Sequence, residues 1–238
     1  MSIPGFEAVP AHPRGGIVVL HEAFGLTDYI AAVCQRLADE GYYTLAPNLF
    51  HRDGVTAFGY DELPRAKAHM SRLTADGIRT DVAASLTYLR TRGFADASAG
   101  LVGFCMGGSI ACALAAEDEL GATVTFYGAG IRHGRFGFPP LADIAGTLRT
   151  PWLGLFGDRD ASIPVEDVEH LRIRAASAPV PTQVVRYADA GHGFHCDARP
   201  AHYHAPSATD AWQRAVRWLG RYLAASSQAQ DLRHEARG

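Results

Sequence analysis

Three residues of this chain are suited to covalent chemistry together. Cys105, Asp160 and His192 come in the order nucleophile, acid, base. A thiol reacts as its thiolate, so it needs a base to take its proton and a carboxylate to orient that base. Cys105 lies in Gly103-Phe104-Cys105-Met106-Gly107-Gly108, where a predicted strand turns directly into a predicted helix. A nucleophile held at such a turn needs small neighbours, and Gly103 and Gly107 meet that need. The turn also leaves the N–H of Met106 at a helix N-terminus, where it favours negative charge on sulfur and can hold an oxyanion. Asp160 sits in Gly157-Asp158-Arg159-Asp160-Ala161-Ser162-Ile163-Pro164, just beyond another strand. Its spacing to Ile163-Pro164 suits the acid, while Asp158 reads as a turn former. His192 lies in Ala190-Gly191-His192-Gly193-Phe194 after a third strand, free to reach across the sheet edge. Singly, each motif reads equally well as a turn or a packing residue. Their order, each after its own strand, makes the reading specific.

A fourth element is His21-Glu22-Ala23-Phe24-Gly25, which follows the first apolar strand. Ala23 is placed to offer a second oxyanion N–H. Glu22 would sit close to the thiol, where a carboxylate disfavours thiolate and can accept a proton.

The elements that must position these residues alternate between short β-rich runs and segments of helical period. That pattern predicts a mainly parallel, twisted sheet covered by helices on both faces. Strands are expected at Ile17–Leu20, Tyr42–Ala46, Ala99–Phe104, Ala122–Tyr127, Trp152–Phe156 and Thr182–Tyr187. Tyr29, Val33 and Leu37 mark one helix; Val82, Leu86 and Leu89 mark another. Gly107–Glu117 and Val165–Ala176 are read as helices, and Trp212, Ala215, Val216 and Leu219 give a closing helix its buried face. Phe50–Arg72 and Ala129–Thr150 are the least regular segments, placed where loops could cover a site. One domain is expected over 1–224, with a polar tail at 225–238 that frays.

Of the 238 residues, 47% are apolar and 20% charged, an ordinary globular balance that argues against disorder. A net charge of −3 gives no electrostatic reason to expect nucleic acid or an anionic membrane as partner. No apolar run is long enough to span a bilayer, and the first residues lack the pattern of a signal peptide. A cytoplasmic location is the expectation. The four cysteines, Cys34, Cys105, Cys112 and Cys196, form no C-x-x-C pair, and reduced thiols are expected.

Taken together, the His21–Gly25 loop, the G-x-C-x-G-G turn, the Asp160 loop and Ala-Gly-His192-Gly-Phe resemble the dienelactone hydrolase family (carboxymethylenebutenolidases). The resemblance runs from about Gly16 to about Trp218. It implies an α/β-hydrolase fold without a large cap domain, a Cys105–His192–Asp160 triad and no metal or organic cofactor. It further implies a regulatory Glu22 that engages the resting thiol, and an oxyanion hole from the amides of Ala23 and Met106. The substrate would be a small ester or lactone. The family's carboxylate-binding arginine, four residues after the catalytic histidine, is replaced here by Cys196, with Arg199 the nearest arginine. Arg65 is a loose candidate for a second arginine, and Tyr127 matches the family's aromatic position near the pocket.

Other classes compete. His192, His195, Cys196, His202 and His204 crowd one stretch, yet they do not form a known zinc spacing. A thiol redox sensor would use Cys105, but Cys112 lies about two helical turns along, too far for a disulfide without local unfolding. A non-catalytic binding module would not need the triad. The oligomeric state is left open.

Overall fold

A computed structural model describes residues 4–223; the polar tail expected at 225–238 lies outside the described residues. Seven strands form one sheet in the order β1-β3-β2-β4-β5-β6-β7. They are β1 (Gly5–Ala8), β2 (Gly15–Leu20), β3 (Tyr42–Pro47), β4 (Ala99–Phe104), β5 (Ala122–Phe126), β6 (Trp152–Gly157) and β7 (Thr182–Tyr187). All neighbours pair in parallel except β1, which runs antiparallel to β3 at the edge. Every residue of β2, β4 and β6 is buried. Since alternate side chains point to opposite faces, both faces of the sheet must be covered.

The cover comes from helices α1 (Asp28–Asp39), α2 (Leu63–Met70), α3 (Ala75–Thr91), α4 (Met106–Ala115), α5 (Leu141–Ile144), α6 (Val165–Ala175) and α7 (Ala205–Tyr222). The stripe of Tyr29, Val33 and Leu37 is buried in α1, as its period requires. All ten residues of α4 are buried, which its glycines and alanines permit by close approach to the sheet. In α7 the buried face is Ala208, Ala211, Ala215, Trp218 and Leu219, while the expected Trp212 and Val216 are half-exposed. The helix starts earlier than its apolar residues indicate, with Pro206 in the first turn, where its missing N–H costs nothing.

β1 and α2 carry too little apolar pattern to be read from the sequence. Only Ala8 of β1 and Ala66 of α2 are buried. The irregular segment before α2 is tied to the loop after β2 by Leu26 N–H to Thr56 O (2.9 Å) and Phe58 N–H to Phe24 O (2.9 Å). No described helix is long and apolar enough to cross a membrane.

Because β2, β4, β5, β6 and β7 point the same way, the loops after them gather at one edge. The chain leaves β2 for β3 on one side and returns to β4 on the other, opening a crevice at that edge between β2 and β4. Glu22, Cys105, Tyr127, Asp160 and His192 each follow one of these strands within a few residues.

Candidate active site

The backbone at Cys105 is strained, with φ 53° and ψ −111°, a conformation L-residues rarely adopt. It is held by Cys105 N–H to Phe126 O (3.0 Å) and by Ser109 N–H to Cys105 O (3.1 Å). A Cβ on Gly103 would lie 2.0 Å from Gly107 O, and one on Gly107 would lie 2.1 Å from Leu20 O. Glycine is therefore a steric requirement at both positions. Met106 is the first residue of α4, so its N–H has no partner within the helix.

His192 joins the other two chemical groups. Its Nε2 is 3.1 Å from Cys105 Sγ and its Nδ1 is 2.6 Å from Asp160 Oδ2. The second carboxylate oxygen of Asp160 accepts from Ser162 N–H (2.9 Å) and Ser162 Oγ–H (2.6 Å). Burial pushes the Asp160 carboxyl up, but the imidazole and Ser162 outweigh it and hold it below the usual carboxylate range. At His192 burial disfavours the cation, yet the sulfur and Asp160 together raise its proton affinity above that of a free imidazole. Ser162 was not singled out from sequence; an Asx turn two residues after a carboxylate was the available signal. Asp158 is held outside this cluster by Arg186, at 2.8 Å to both carboxylate oxygens.

Glu22 is 2% exposed and its Oε2 has no hydrogen-bond partner. Burial raises its pKa to about 7, against the charges of Arg199 and His192 and the neighbouring Cys196 thiol. The resemblance implied a glutamate on the resting thiol. Here Cys105 Sγ is engaged by His192 instead, and Glu22 has Cys196 beside it, the residue standing in the arginine position. His21 fixes the backbone under Glu22. Its Nε2 accepts from Leu49 N–H (3.1 Å), so Nδ1 carries the proton and donates to Glu22 O at 2.7 Å. Burial pushes His21 down to about 4, keeping it neutral. Gly107 N–H donates to His21 O (3.1 Å), locking the Glu22 loop to the turn at Cys105. Ala23 follows in the same loop and is buried.

Tyr127 is fully buried with φ 40°, its ring 5.2 Å from that of His192 and its hydroxyl beside that of Tyr29. Arg199 lies over the rings of Phe24 (5.2 Å) and Tyr60 (5.5 Å) and has no carboxylate within ion-pair distance among the described residues. Arg65 is not brought to this cluster. It projects from α2 with its side chain 70% exposed, paired to Glu62 and lying over Phe58.

The remaining histidines of the crowded stretch go separate ways. His195 is buried, with Nδ1 2.7 Å from Tyr29 Oη and its ring stacked on Trp212. His202 lies 2.8 Å from Arg199 Nη2, and His204 bonds Ser207 Oγ. Cys196 Sγ is 3.5 Å from Tyr60 Oη. Among the described residues no three such groups converge as metal ligands. Cys112 is fully buried within α4.

The family model described as "Dienelactone hydrolase family" matches residues 3–223. A Salmonella typhimurium protein assigned by name as a carboxymethylenebutenolidase is 36% identical, covering 92% of this chain and 83% of its own length. The carboxymethylenebutenolidase of Rhodococcus opacus is 33% identical, with coverage of 89% and 82%. A solved Klebsiella pneumoniae structure assigned as a dienelactone hydrolase superposes with a TM-score of 0.83 at 32% identity, covering 93% of this chain and 94% of that one.

Proposed function

This chain belongs to the dienelactone hydrolase family and is a carboxylic ester hydrolase of that kind, and on that premise we propose that it cleaves a small ester or lactone through a cysteine acyl-enzyme. The observation that carries this reading is the imidazole of His192, within hydrogen-bond reach of both Cys105 Sγ and Asp160 Oδ2.

His192 Nε2 takes the thiol proton and Asp160 stabilises the resulting imidazolium. The thiolate attacks the carbonyl carbon, and the amides of Ala23 and Met106 hold the oxyanion. His192 then gives its proton to the leaving alkoxide, which departs from an ester and stays tethered when a lactone opens. Water, deprotonated by the same imidazole, attacks the thioester and releases the carboxylic acid and the free thiol. No step requires a metal or an organic cofactor.

Glu22 tunes the pair through charge. Ionised, it supports the imidazolium of His192 while opposing negative charge on sulfur. Its Oε2 is buried without a hydrogen-bond partner, a site that favours the protonated carboxyl until a donor is supplied. Arg199 supplies the charge for a substrate carboxylate on the Glu22 side.

Rapid mixing with p-nitrophenyl acetate tests the scheme. A burst of one equivalent of nitrophenolate per site is expected from the wild type and from Cys112→Ala, and none from Cys105→Ala. His192→Ala is expected to lower turnover by roughly 10³ or more. Equal turnover by Cys105→Ala and wild type would end the proposal.

A further inference from the structure

A groove of about 250 Å³ opens on the acid side of the triad, lined by Ala129–Arg135 together with Ser162, Ile163 and Asp167. It abuts the triad through Ser162, one of its lining residues. Ser162 Oγ lies 3.4 Å from His192 Nδ1 and donates to Asp160. Ser109 Oγ–H, one turn into α4, donates to Ala129 O at 2.6 Å and so ties the start of the groove-lining segment to the helix that begins beside Cys105. The groove wall carries three basic side chains, Arg132, His133 and Arg135. Arg132 is neutralised, its Nε 2.9 Å from Asp167 Oδ1. Arg135 is different. It is half-buried, rests over the Phe136 ring at 5.3 Å, and has no carboxylate within ion-pair distance among the described residues.

The loop that presents Arg135 is stiffly built. Leu141 N–H to Gly130 O (3.0 Å) and Ala142 N–H to Ile131 O (3.1 Å) close its base. Phe138 N–H to Arg135 O (2.9 Å) makes a turn in which Phe136 stands at φ 58°. A guanidinium without a carboxylate partner, partly withdrawn from water in a groove that Ser162 also lines, matches an anionic oxygen group on a bound substrate.

We propose that Arg135 is a specificity residue, and that the groove beside Ser162 receives a carboxylate-bearing arm of the ester or lactone, opposite the arm that faces Arg199. The proposal rests on the ester-hydrolase reading above. It adds that the substrate is anionic at the end remote from Glu22.

The test is steady-state hydrolysis by the full chain of three probes. Phenyl acetate is neutral, 4-acetoxybenzoate carries the carboxylate on its leaving group, and mono-p-nitrophenyl glutarate carries it on its acyl group. Arg135→Gln is expected to raise KM roughly ten-fold or more for at least one carboxylate probe. Its kcat for that probe and its kcat/KM for phenyl acetate should stay within about two-fold of wild type. Arg135→Lys should restore part of the loss, and raised salt should shrink the wild-type advantage. The carboxylate probe affected shows which end of the substrate occupies the groove. Equal effects of Arg135→Gln on all three probes, or none on any, would overturn the proposal. If wild type hydrolyses none of them, it is the ester-hydrolase reading that fails.

Discussion

Burial and charge pull against each other at Glu22, and the balance has a measurable sign. Its carboxyl rises from an ordinary 4.5 to about 7 in the folded protein. Between those values the folded state binds the proton more readily than the unfolded chain, so this group's contribution to stability falls as pH rises through the window. The full cost, up to about 3 kcal/mol, is present above the folded pKa. Glu22→Gln should therefore stabilise the protein at pH 8 and lose that advantage below pH 4.5, as read from urea midpoints at each pH. The same variant should change the pH profile of Cys105 alkylation by iodoacetamide around pH 7. Superimposable profiles would remove Glu22 from the thiol's chemistry. His21, which grips the backbone beneath Glu22, escaped the sequence reading because its partner Leu49 comes from a separate strand's end.

The turn between β4 and α4 shows what sequence can and cannot disclose about an element. Glycine spacing around Cys105 was legible because steric demand at a tight turn is local; the structure adds what the missing side chains would strike. Gly103→Ala should cost at least about 2 kcal/mol in urea denaturation and abolish turnover, since its Cβ meets backbone that cannot yield. Strands buried on both faces, such as β2 and β4, announced themselves as apolar runs. By contrast β1 and α2, each with one buried residue, left no period to detect. The closing helix was found but its face was drawn too narrowly, because the alanines Ala208 and Ala211 carry burial that hydrophobicity alone understates. Arg65 shows the opposite failure. Position in the chain suggested the site, whereas α2 turns the side chain outward to Glu62. Ser162 and the unpaired Arg135 depend on contacts between loops of different strands, which no local pattern encodes.

At the scale of the whole molecule, one parallel sheet delivers five separated residues to a single crevice, and burial of polar groups follows. His21 and His195 are kept neutral by burial, with pKa values lowered to about 4 and about 3. The unfolded chain takes up protons on both near pH 6.5, the folded chain only well below, so stability falls as pH drops from 6.5 towards 4. Glu22 works in the opposite sense over part of that range, but two histidines outweigh one carboxyl. Urea midpoints should decline on acidification, and more steeply in Glu22→Gln. A flat profile for that variant would contradict the neutral state assigned to the histidines. The most direct test of the central claim is intact and peptide mass spectrometry after acid quench of a reaction with a slowly deacylating aryl ester. One acyl adduct is expected, on the peptide containing Cys105 and absent from Cys105→Ala. Sustained turnover with no adduct there, or with the acyl group on another residue, would contradict it.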